Sequence, residues 1–272
     1  MTTIQKINEA KTYLQSLTNF KPTIGVVLGS GLGNFGKQFK VTISIPYHNI
    51  PHFPKSTVDG HSGNLLFGHV GNKQVVCMSG RFHYYEGYSM EDVVFPIRLF
   101  KYLGVQHCII SNAAGGTNIN FKVGDIMYIT DHISFFAVNP LLGKNESEFG
   151  PRFPDMTEPY KKNLLAIANN VAAQNNIAVK HGVYCGVTGP TFETKAEYKL
   201  IHALGADAVG MSTVGEVIAA NHMGMQVFAM SVITDLGIRE ENNIITHQEV
   251  LEAATAAEPK MSTIVIGLIN AL

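Results

Sequence analysis

Short apolar runs alternate with amphipathic stretches along most of this chain. The apolar runs are typical of buried strands and cover residues 23–28, 41–45, 106–111, 126–132, 180–187, 207–211 and 226–233. Residues 64–70 and 73–79 flank Gly71-Asn72, which predicts a hairpin. Helical spacing of apolar residues marks 3–17, 89–103, 159–174, 195–204, 214–223 and the segment from His247 onward. Strands that alternate with helices predict a single α/β domain over residues 1–272, with a mixed β-sheet core flanked by helices on both faces.

Three local features modify this pattern. Pro96 lies inside the predicted helix 89–103 and predicts a kink or a later helix start. The small residues 113–116 follow the strand 106–111 and predict a tight turn, at a strand end where α/β sheets bind ligands. Residues 138–159 contain four prolines and little periodicity, which predicts a long loop that acts as a lid or a contact surface.

Composition and charge argue against several functional classes. The formal net charge of -1 does not supply the basic face that nucleic-acid binding requires. The best candidate for a membrane span, residues 208–234, is interrupted by Glu216, Asn221 and His222, so no span is expected. The N-terminus lacks the basic-then-apolar pattern of a signal peptide.

Cysteine and histidine usage indicates the compartment and the cofactor requirement. Cys77, Cys108 and Cys185 are scattered through apolar runs, which favours reduced thiols in a cytoplasmic protein over a disulfide framework. The eleven histidines show no metal-ligand spacing. A dedicated zinc site is therefore not expected.

A glycine-rich segment, Gly-Ser-Gly-Leu-Gly-Asn-Phe-Gly at residues 29–36, directly follows a predicted strand. Glycines can turn several N–H groups toward one anion, and the Ser30 hydroxyl adds a donor. The segment also fits a dinucleotide-binding pattern through Gly31, Gly33 and Gly36, but the next strand does not end in the acidic residue of that fold. Taken alone, a plain turn and a phosphate cradle explain it equally well.

Residues 80–88 concentrate polar groups after the strand that ends at residue 79. Arginine is the side chain best shaped to bind phosphate through two parallel hydrogen bonds. Alternation along an extended segment places Arg81, His83 and Tyr85 on one face and Phe82 on the other. The alternative is a surface loop with aromatic packing, but so many polar groups beside a glycine favour a binding site.

Three later segments place polar side chains at strand ends or helix starts. Phe192 can stack on a planar ring while Glu193 accepts N–H bonds from a heterocycle, or Glu193 simply favours a helix start. Ser212 lies where a helix N-terminus can bind an anion, or Ser212 or Thr213 is only the N-cap. Asp235 follows a strand and is, in isolation, an ordinary turn residue.

Taken together, these segments resemble the trimeric purine nucleoside phosphorylases of the inosine–guanosine type nearly from end to end. The segments that agree in order and spacing are 28–33, 61–63, 80–88, 111–115, 189–194, 209–214 and 247–251. The resemblance implies a nucleoside phosphorylase-like fold and a pentosyltransferase of purine salvage. It implies reversible cleavage of inosine, guanosine and their deoxy forms by orthophosphate, releasing the base and forming (deoxy)ribose 1-phosphate. It also implies a cytoplasmic homotrimer that needs no metal and no organic cofactor.

The resemblance also implies roles for individual residues. Phosphate would be bound by Ser30, His61, Arg81, His83, the backbone N–H of Ala113 and Ser212. Ribose would be bound by Tyr85, Met211, His247 and Phe153, the last donated by a neighbouring subunit. The purine would be bound by Phe192, Glu193, Val209 and Asp235. The catalytic groups would be His83, Glu193 and Asp235.

Asp235 departs from the pattern, because the 6-oxopurine enzymes usually carry asparagine there. An ionised aspartate only accepts hydrogen bonds, which suits a 6-amino group, whereas a protonated one can donate to the purine N7 as a general acid. We expect 6-oxopurine nucleosides to remain the main substrates and 6-amino ones to be accepted better than usual. The methylthioadenosine phosphorylases share this aspartate but lack the run at 80–88 and have an apolar residue in place of His247.

Two functions of other classes remain as alternatives. A nucleoside-binding protein on the same fold would lack catalysis, but the chain retains Arg81, His83, Glu193 and Ser212. A dinucleotide-dependent oxidoreductase would require the acidic residue that is missing after the glycine-rich segment.

Overall fold

The computed structural model describes residues 1–29, 39–55, 63–135, 137–238 and 246–272, which contain six α-helices and nine strands. The helices are α1 (Thr3–Leu17), α2 (Met90–Leu103), α3 (Lys162–Gln174), α4 (Lys195–Ala203), α5 (Val214–His222) and α6 (His247–Ala271). The strands are β1 (Ile24–Leu28), β2 (Lys40–Pro46), β3 (Asn64–Val70), β4 (Lys73–Ser79), β5 (His107–Gly116), β6 (Ile126–Ile133), β7 (Val179–Gly186), β8 (Ala208–Gly210) and β9 (Gln226–Leu236).

All nine strands belong to one mixed sheet with the order β2-β3-β4-β1-β5-β8-β7-β6-β9. The strand β1 runs parallel to both β4 and β5. The strand β3 is antiparallel to both of its neighbours, β2 and β4. The strand β9 also pairs with β5 along its length. Strands β5, β8, β7, β6 and β9 therefore close into a ring, and the other four extend from it as an open sheet.

Helices cover both faces of this sheet because its central strands are apolar on both sides. On β1, Val26 packs into a core that includes residues of α3 and α6, whereas Val27 packs into a core that includes residues of α1, α2 and α5. This alternation confirms the predicted mixed sheet with helices on both faces. Within the described residues, no helix combines the length and apolar character that crossing a membrane requires.

Two helix starts that matter for the site are held by capping boxes. The Thr194 side chain accepts from the backbone N–H of Glu197, and the Glu197 side chain accepts from the backbone of Thr194 at the start of α4. Thr246 and Glu249 make the same reciprocal pair at the start of α6. These caps fix the chain immediately next to Glu193 and at His247.

Most predicted elements are confirmed, but the tight turn at 113–116 is wrong. The strand β5 continues through these residues and pairs with β9 as far as Gly116, with a bulge after Ala114. A Cβ added at Gly115 would lie 3.0 Å from Asp235 Oδ2, and one at Gly116 would lie 2.6 Å from Leu236 Cδ2. The small residues therefore allow β9 to approach closely, which is a packing requirement rather than a turn.

Of the two alternatives predicted from Pro96, a kink or a later helix start, the later start is wrong. Helix α2 begins at Met90, where the Ser89 hydroxyl accepts from the backbone N–H of Asp92 and caps the first turn. Pro96 lies inside the helix. The predicted loop at 138–159 is confirmed, because this segment contains neither helix nor strand.

Candidate active site

A cavity of about 400 Å³ lies at the ends of β4, β5, β8 and β9. Its volume is that of a small-molecule site. The cavity collects predicted site residues from six parts of the chain, namely Arg81, His83, Tyr85, Ala113, Phe192, Glu193, Val209, Met211, Ser212, Asp235 and His247. Ser30 and His61 lie outside the described residues.

Arg81 is held rigidly at one end of this cavity. Its Nε donates to Glu216 Oε1 at 3.2 Å and its Nη2 to Glu216 Oε2 at 2.9 Å. Its Nη1 donates to the Ser111 carbonyl at 2.6 Å. Because Arg81 is 1% exposed, the carboxylate both orients the guanidinium and compensates its charge inside the protein.

His83 is oriented by a carboxylate three residues later. Glu86 Oε1 accepts from the His83 backbone N–H at 2.7 Å and lies 2.9 Å from His83 Nδ1. A carboxylate only accepts, so Nδ1 carries the proton of this hydrogen bond. The Tyr85 ring stacks on the imidazole with centroids 4.7 Å apart, and burial, more than the nearby Glu86, raises the pKa of Tyr85 to about 12.

The face prediction for 81–85 is confirmed, although the segment is not extended throughout. Arg81, His83 and Tyr85 all line the cavity. Phe82 is buried among aromatic rings, 5.1 Å from the ring centre of Tyr47. Residues Tyr84–Glu86 form a short 3-10 turn, which returns Tyr85 to the side of His83.

One edge of β5 is left without a neighbouring strand in the described part of the chain. Strand β1 pairs with β5 only up to Ile110, and β8 begins to pair at Gly115. The Ser111 carbonyl on this edge accepts from Arg81. Because alternate residues of a strand point to the same edge, the backbone N–H of Ala113 also faces this gap.

Ser212 lies at the start of α5 beside a strained residue. Thr213 has φ of 71°, and the Val214 N–H donates back to the Ser212 carbonyl at 2.8 Å. Such a positive φ is unfavourable for threonine and occurs most often at functional sites. The Thr213 side chain makes no cap; its Oγ1 instead accepts from Asn112 Nδ2 at 2.8 Å and lies 3.2 Å from Ser212 Oγ.

Asp235 and Glu193 occupy the other end of the cavity. The Tyr198 hydroxyl donates to Asp235 Oδ2 at 3.0 Å, and the Thr234 hydroxyl donates to Asp235 Oδ1 at 3.1 Å. Glu193 also lines the cavity, and its charge adds to burial and to the charge of Asp235 in raising the pKa of Tyr198. Burial, the largest influence, raises the pKa of both carboxyls, and the hydroxyl hydrogen bonds oppose this rise.

The two ends are spaced along β5. Arg81 bonds Ser111, whereas Asp235 approaches the backbone of Gly115, four residues further along the strand. Four residues of strand span about 13 Å. The cavity therefore separates a basic group suited to an oxyanion from acidic groups suited to the N–H edge of a heterocycle.

Phe153 is the one predicted site residue in the described ranges that lies away from this cavity. It is 88% exposed and lies in the loop 138–159, where it lines a separate groove with Phe135 and Leu142. Phe135 and Leu142 are themselves 84% and 74% exposed. The loop thus presents a cluster of large apolar side chains at the surface.

Several supporting residues were not predicted from the sequence. They are Glu86, Asn112, Tyr198, Glu216 and Thr234, which bond the predicted residues or their neighbours. The clearest available signal was Glu216, a charged residue inside an otherwise apolar helical run. A buried helical glutamate usually has a cationic partner, which points to an arginine elsewhere in the fold.

Known proteins resemble this chain over most of its length. The sequence profile of the phosphorylase superfamily matches residues 23–270. Purine nucleoside phosphorylase 1 of Bacillus subtilis is 47% identical over 247 residues, which cover 91% of each chain.

Solved structures agree in fold as well as in sequence. The crystal structure of Schistosoma mansoni purine nucleoside phosphorylase in complex with adenosine superposes with a TM-score of 0.95 at 41% identity, covering 100% of this chain and 99% of that one. The Schistosoma enzyme in complex with hypoxanthine gives a TM-score of 0.94 at 40% identity, with the same coverage. This chain therefore belongs to the phosphorylase superfamily and, within it, to the purine nucleoside phosphorylases.

Proposed function

We propose that this chain catalyses the reversible phosphorolysis of purine ribonucleosides and deoxyribonucleosides, yielding the free base and (deoxy)ribose 1-phosphate. The observation that carries the proposal is one cavity with a fixed guanidinium at Ser111 and, at the other end, the buried Asp235 carboxyl near Gly115 together with the half-buried Glu193. Cleavage of a glycosidic bond develops positive charge on the sugar. A phosphate dianion held beside the sugar stabilises that charge and then captures the anomeric carbon.

The phosphate end of the cavity supplies donors of three kinds. Arg81 and His83 are oriented by carboxylates, and the Ala113 N–H faces the gap beside β5. Ser212 lies two residues before α5, whose N-terminus favours an anion. Ser30 and His61 belong to the same proposal by resemblance. Together these groups would position the phosphate nucleophile against the sugar, so that the two substrates meet in one defined geometry.

The base end supplies a stacking surface and hydrogen-bonding groups. Phe192 and Val209 line the cavity beside Glu193 and Asp235. Glu193 would accept N–H bonds from the purine, and protonated Asp235 would donate to N7 as the bond to the sugar breaks. Burial raises the pKa of Asp235, which favours the protonated form that this donation requires. We therefore propose 6-oxopurine nucleosides as main substrates, with 6-amino ones also accepted.

The ribose site needs a second subunit in this proposal. Tyr85, Met211 and His247 line the cavity, whereas Phe153 is exposed on its loop. In a homotrimer, Phe153 would enter the ribose site of the neighbouring subunit. Substituting Phe153→Ala should raise the KM for nucleoside about tenfold while the KM for phosphate stays near its wild-type value. Sedimentation of the wild type as a monomer under assay conditions would contradict this arrangement.

No metal or organic cofactor enters the proposed reaction, and orthophosphate is a co-substrate. The proposed site of action is the cytoplasm. Free, buried Cys77, Cys108 and Cys185 suit a reducing compartment. Burial raises the pKa of Cys185 to about 11, so this thiol stays protonated and unreactive there.

The decisive experiment is a nucleoside panel with and without orthophosphate. Inosine, guanosine and adenosine are incubated with the enzyme, and base and sugar phosphate are quantified by chromatography. Phosphate-dependent release of hypoxanthine from inosine is the expected result. Binding of inosine without any cleavage would instead indicate the non-catalytic alternative.

The substrate preference is tested by Asp235→Asn. The ratio of kcat/KM for adenosine over inosine should fall in this variant, because an amide can donate to N7 and O6 together but carries no negative charge. An unchanged ratio would refute the role proposed for Asp235.

A further inference from the structure

Tyr198 is a buried residue of α4 that contacts the Asp235 carboxyl at the base end of the cavity. It is 2% exposed, and its hydroxyl donates to Asp235 Oδ2 at 3.0 Å. Burial, and then the charges of Asp235 and Glu193, raise the pKa of Tyr198, so its hydroxyl keeps its proton. No role for this side chain follows from the reaction itself, because the proposed contacts with substrate are all made by other residues.

The backbone around Tyr198 is shaped to hold it in this position. A Cβ at Gly237 would lie 2.0 Å from ring atoms of Tyr198, so only glycine leaves room for the ring. A Cβ at Gly115 would lie 3.0 Å from both the Tyr198 hydroxyl and Asp235 Oδ2. Glycines on β5 and after β9 therefore accommodate the ring and its hydrogen bond with little freedom to move.

The hydrogen bonds to Asp235 oppose the effect of burial, which raises the pKa of this carboxyl. The hydroxyls of Tyr198 and Thr234 donate to different oxygens of the carboxyl. Donation to both oxygens favours the ionised form, which can only accept further hydrogen bonds. An accepting carboxylate complements the N–H of a 6-aminopurine, whereas a 6-oxopurine presents acceptors at O6 and N7.

We propose that Tyr198 is a positioning residue that sets the purine preference of the enzyme by holding Asp235 as a hydrogen-bond acceptor for a 6-amino group. This inference rests on the phosphorolysis proposed above and assigns the preference to a residue outside the contacts with the base. Tyr198 and Thr234 act together, since each donates to one oxygen of the same carboxyl.

The main test is Tyr198→Phe, which keeps the ring against Gly237 and removes only the hydroxyl. The ratio of kcat/KM for adenosine over inosine should fall about tenfold, because a hydrogen bond to a charged group is lost. Thr234→Val should shift the ratio in the same direction. In an Asp235→Asn background, Tyr198→Phe should change the ratio by less than about threefold, since no ionised form remains to be stabilised.

The pH dependence supplies a readout that a packing role would not change. The ionisable groups that act on the pKa of Asp235 are Tyr198, through its hydrogen bond, and Glu249, through its charge, and Asp235 in turn raises the pKa of Glu193. Adenosine activity relative to inosine should fall as the pH drops through the pKa of Asp235. Without the Tyr198 donor this pKa rises, so the fall should occur at higher pH in Tyr198→Phe.

Two controls make each outcome decisive. Tyr128→Phe removes another buried hydroxyl, which donates to the Ala168 carbonyl in the core, and should leave the ratio unchanged. Calorimetric titration with adenine and hypoxanthine makes the same comparison without turnover. Tyr198→Phe should weaken the binding of adenine more than the binding of hypoxanthine. If the wild type cleaves nucleosides but Tyr198→Phe changes neither the kcat/KM ratio nor the relative affinity for the two bases, the inference about Tyr198 is wrong and the proposed function is unaffected. If the wild type neither cleaves nucleosides nor binds bases, the proposed function fails with it.

Discussion

Arg81 and Glu216 form a bidentate ion pair across 135 residues of sequence, with nitrogen–oxygen distances of 3.2 and 2.9 Å. Their side chains are 1% and 4% exposed. Glu216 lies in α5, behind the cavity, whereas Arg81 lines it. The helix that follows Ser212 therefore also orients the arginine, so two of the groups proposed to bind phosphate depend on the position of one helix.

Replacing Glu216 should weaken both the fold and phosphate binding. In Glu216→Gln the buried guanidinium loses its counter-charge, and the free energy of unfolding should fall by about 3 kcal/mol. The KM for phosphate should rise because the Arg81 guanidinium is no longer held in one orientation. Urea denaturation and initial-rate kinetics measure the two effects. Glu258→Gln is the matched control, since Glu258 is also buried but accepts from the Ser262 hydroxyl, and its substitution should cost less.

The Glu86 carboxylate should be required for the orientation of His83. Glu86→Ala removes the acceptor for both the backbone N–H and Nδ1 of His83, so the KM for phosphate should rise about tenfold. Glu86→Gln keeps an acceptor oxygen and should have a smaller effect. Steady-state kinetics at saturating inosine compare the variants. Equal phosphate KM values for Glu86→Ala and the wild type would exclude this orienting role.

Gly237 should tolerate no side chain. The methyl group of Gly237→Ala would press on the Tyr198 ring, since its Cβ would lie 2.0 Å from ring atoms. Overpacking should lower the free energy of unfolding by about 2 kcal/mol and displace the hydroxyl from Asp235. Adding Tyr198→Val should recover part of the lost stability, as thermal or chemical denaturation would show. Simple addition of the two losses would argue against a direct clash.

The raised pKa of Asp235 should make the free energy of unfolding fall as the pH rises. Burial raises its pKa in the folded state, so the folded protein binds this proton more tightly than the unfolded chain does. Stability is then lost as the pH rises from the unfolded pKa through the folded one. Asp235→Asn removes this loss, so its advantage in unfolding free energy should grow with pH across that window. Denaturant titrations over a pH series measure it.

An aspartate with the opposite shift provides the control for that experiment. Hydrogen bonds from Thr157, first through its hydroxyl and then through its backbone, lower the pKa of Asp155. Any stability contributed by Asp155 is therefore present at higher pH and lost as the pH falls through its folded pKa. An advantage for Asp235→Asn that stays constant with pH would mean that burial does not shift the carboxyl as described.

The strand ends could be predicted from the sequence because their signals are local. The apolar runs of β1, β5 and β9 stand out from the residues around them, and polar groups follow directly. The carboxyl ends of the parallel strands β4, β5 and β9 meet at one edge of the sheet, which brings Arg81 and Asp235 to one place. Strand β8 is antiparallel to β5, and it brings Ser212 to the same cavity from the opposite direction. Resemblance to a known family then assigned chemistry to positions that each segment alone left ambiguous.

The supporting residues could not be predicted, because their partners are set by the topology. Tyr198 follows the helical spacing of Ile201 and looks like an ordinary core residue of α4. Glu216 reads as an interruption of an apolar run until the fold places it beside Arg81. The prediction of a tight turn at 113–116 is wrong for a related reason. These small residues allow close contact with β9, a strand more than one hundred residues away in the sequence.

Between Ile110 and Gly115, β5 passes from one strand neighbour to another, and no strand of the described residues covers that part of its edge. An oxyanion bound at the Ala113 N–H would stand where a further strand stands elsewhere in the sheet. Binding of the oxyanion would then occupy the edge of β5 as well as prepare the reaction. A bound ligand stabilises the state that binds it, which here is the folded state. Such a protein should resist heat and proteases better in a phosphate-replete cell than in a starved one.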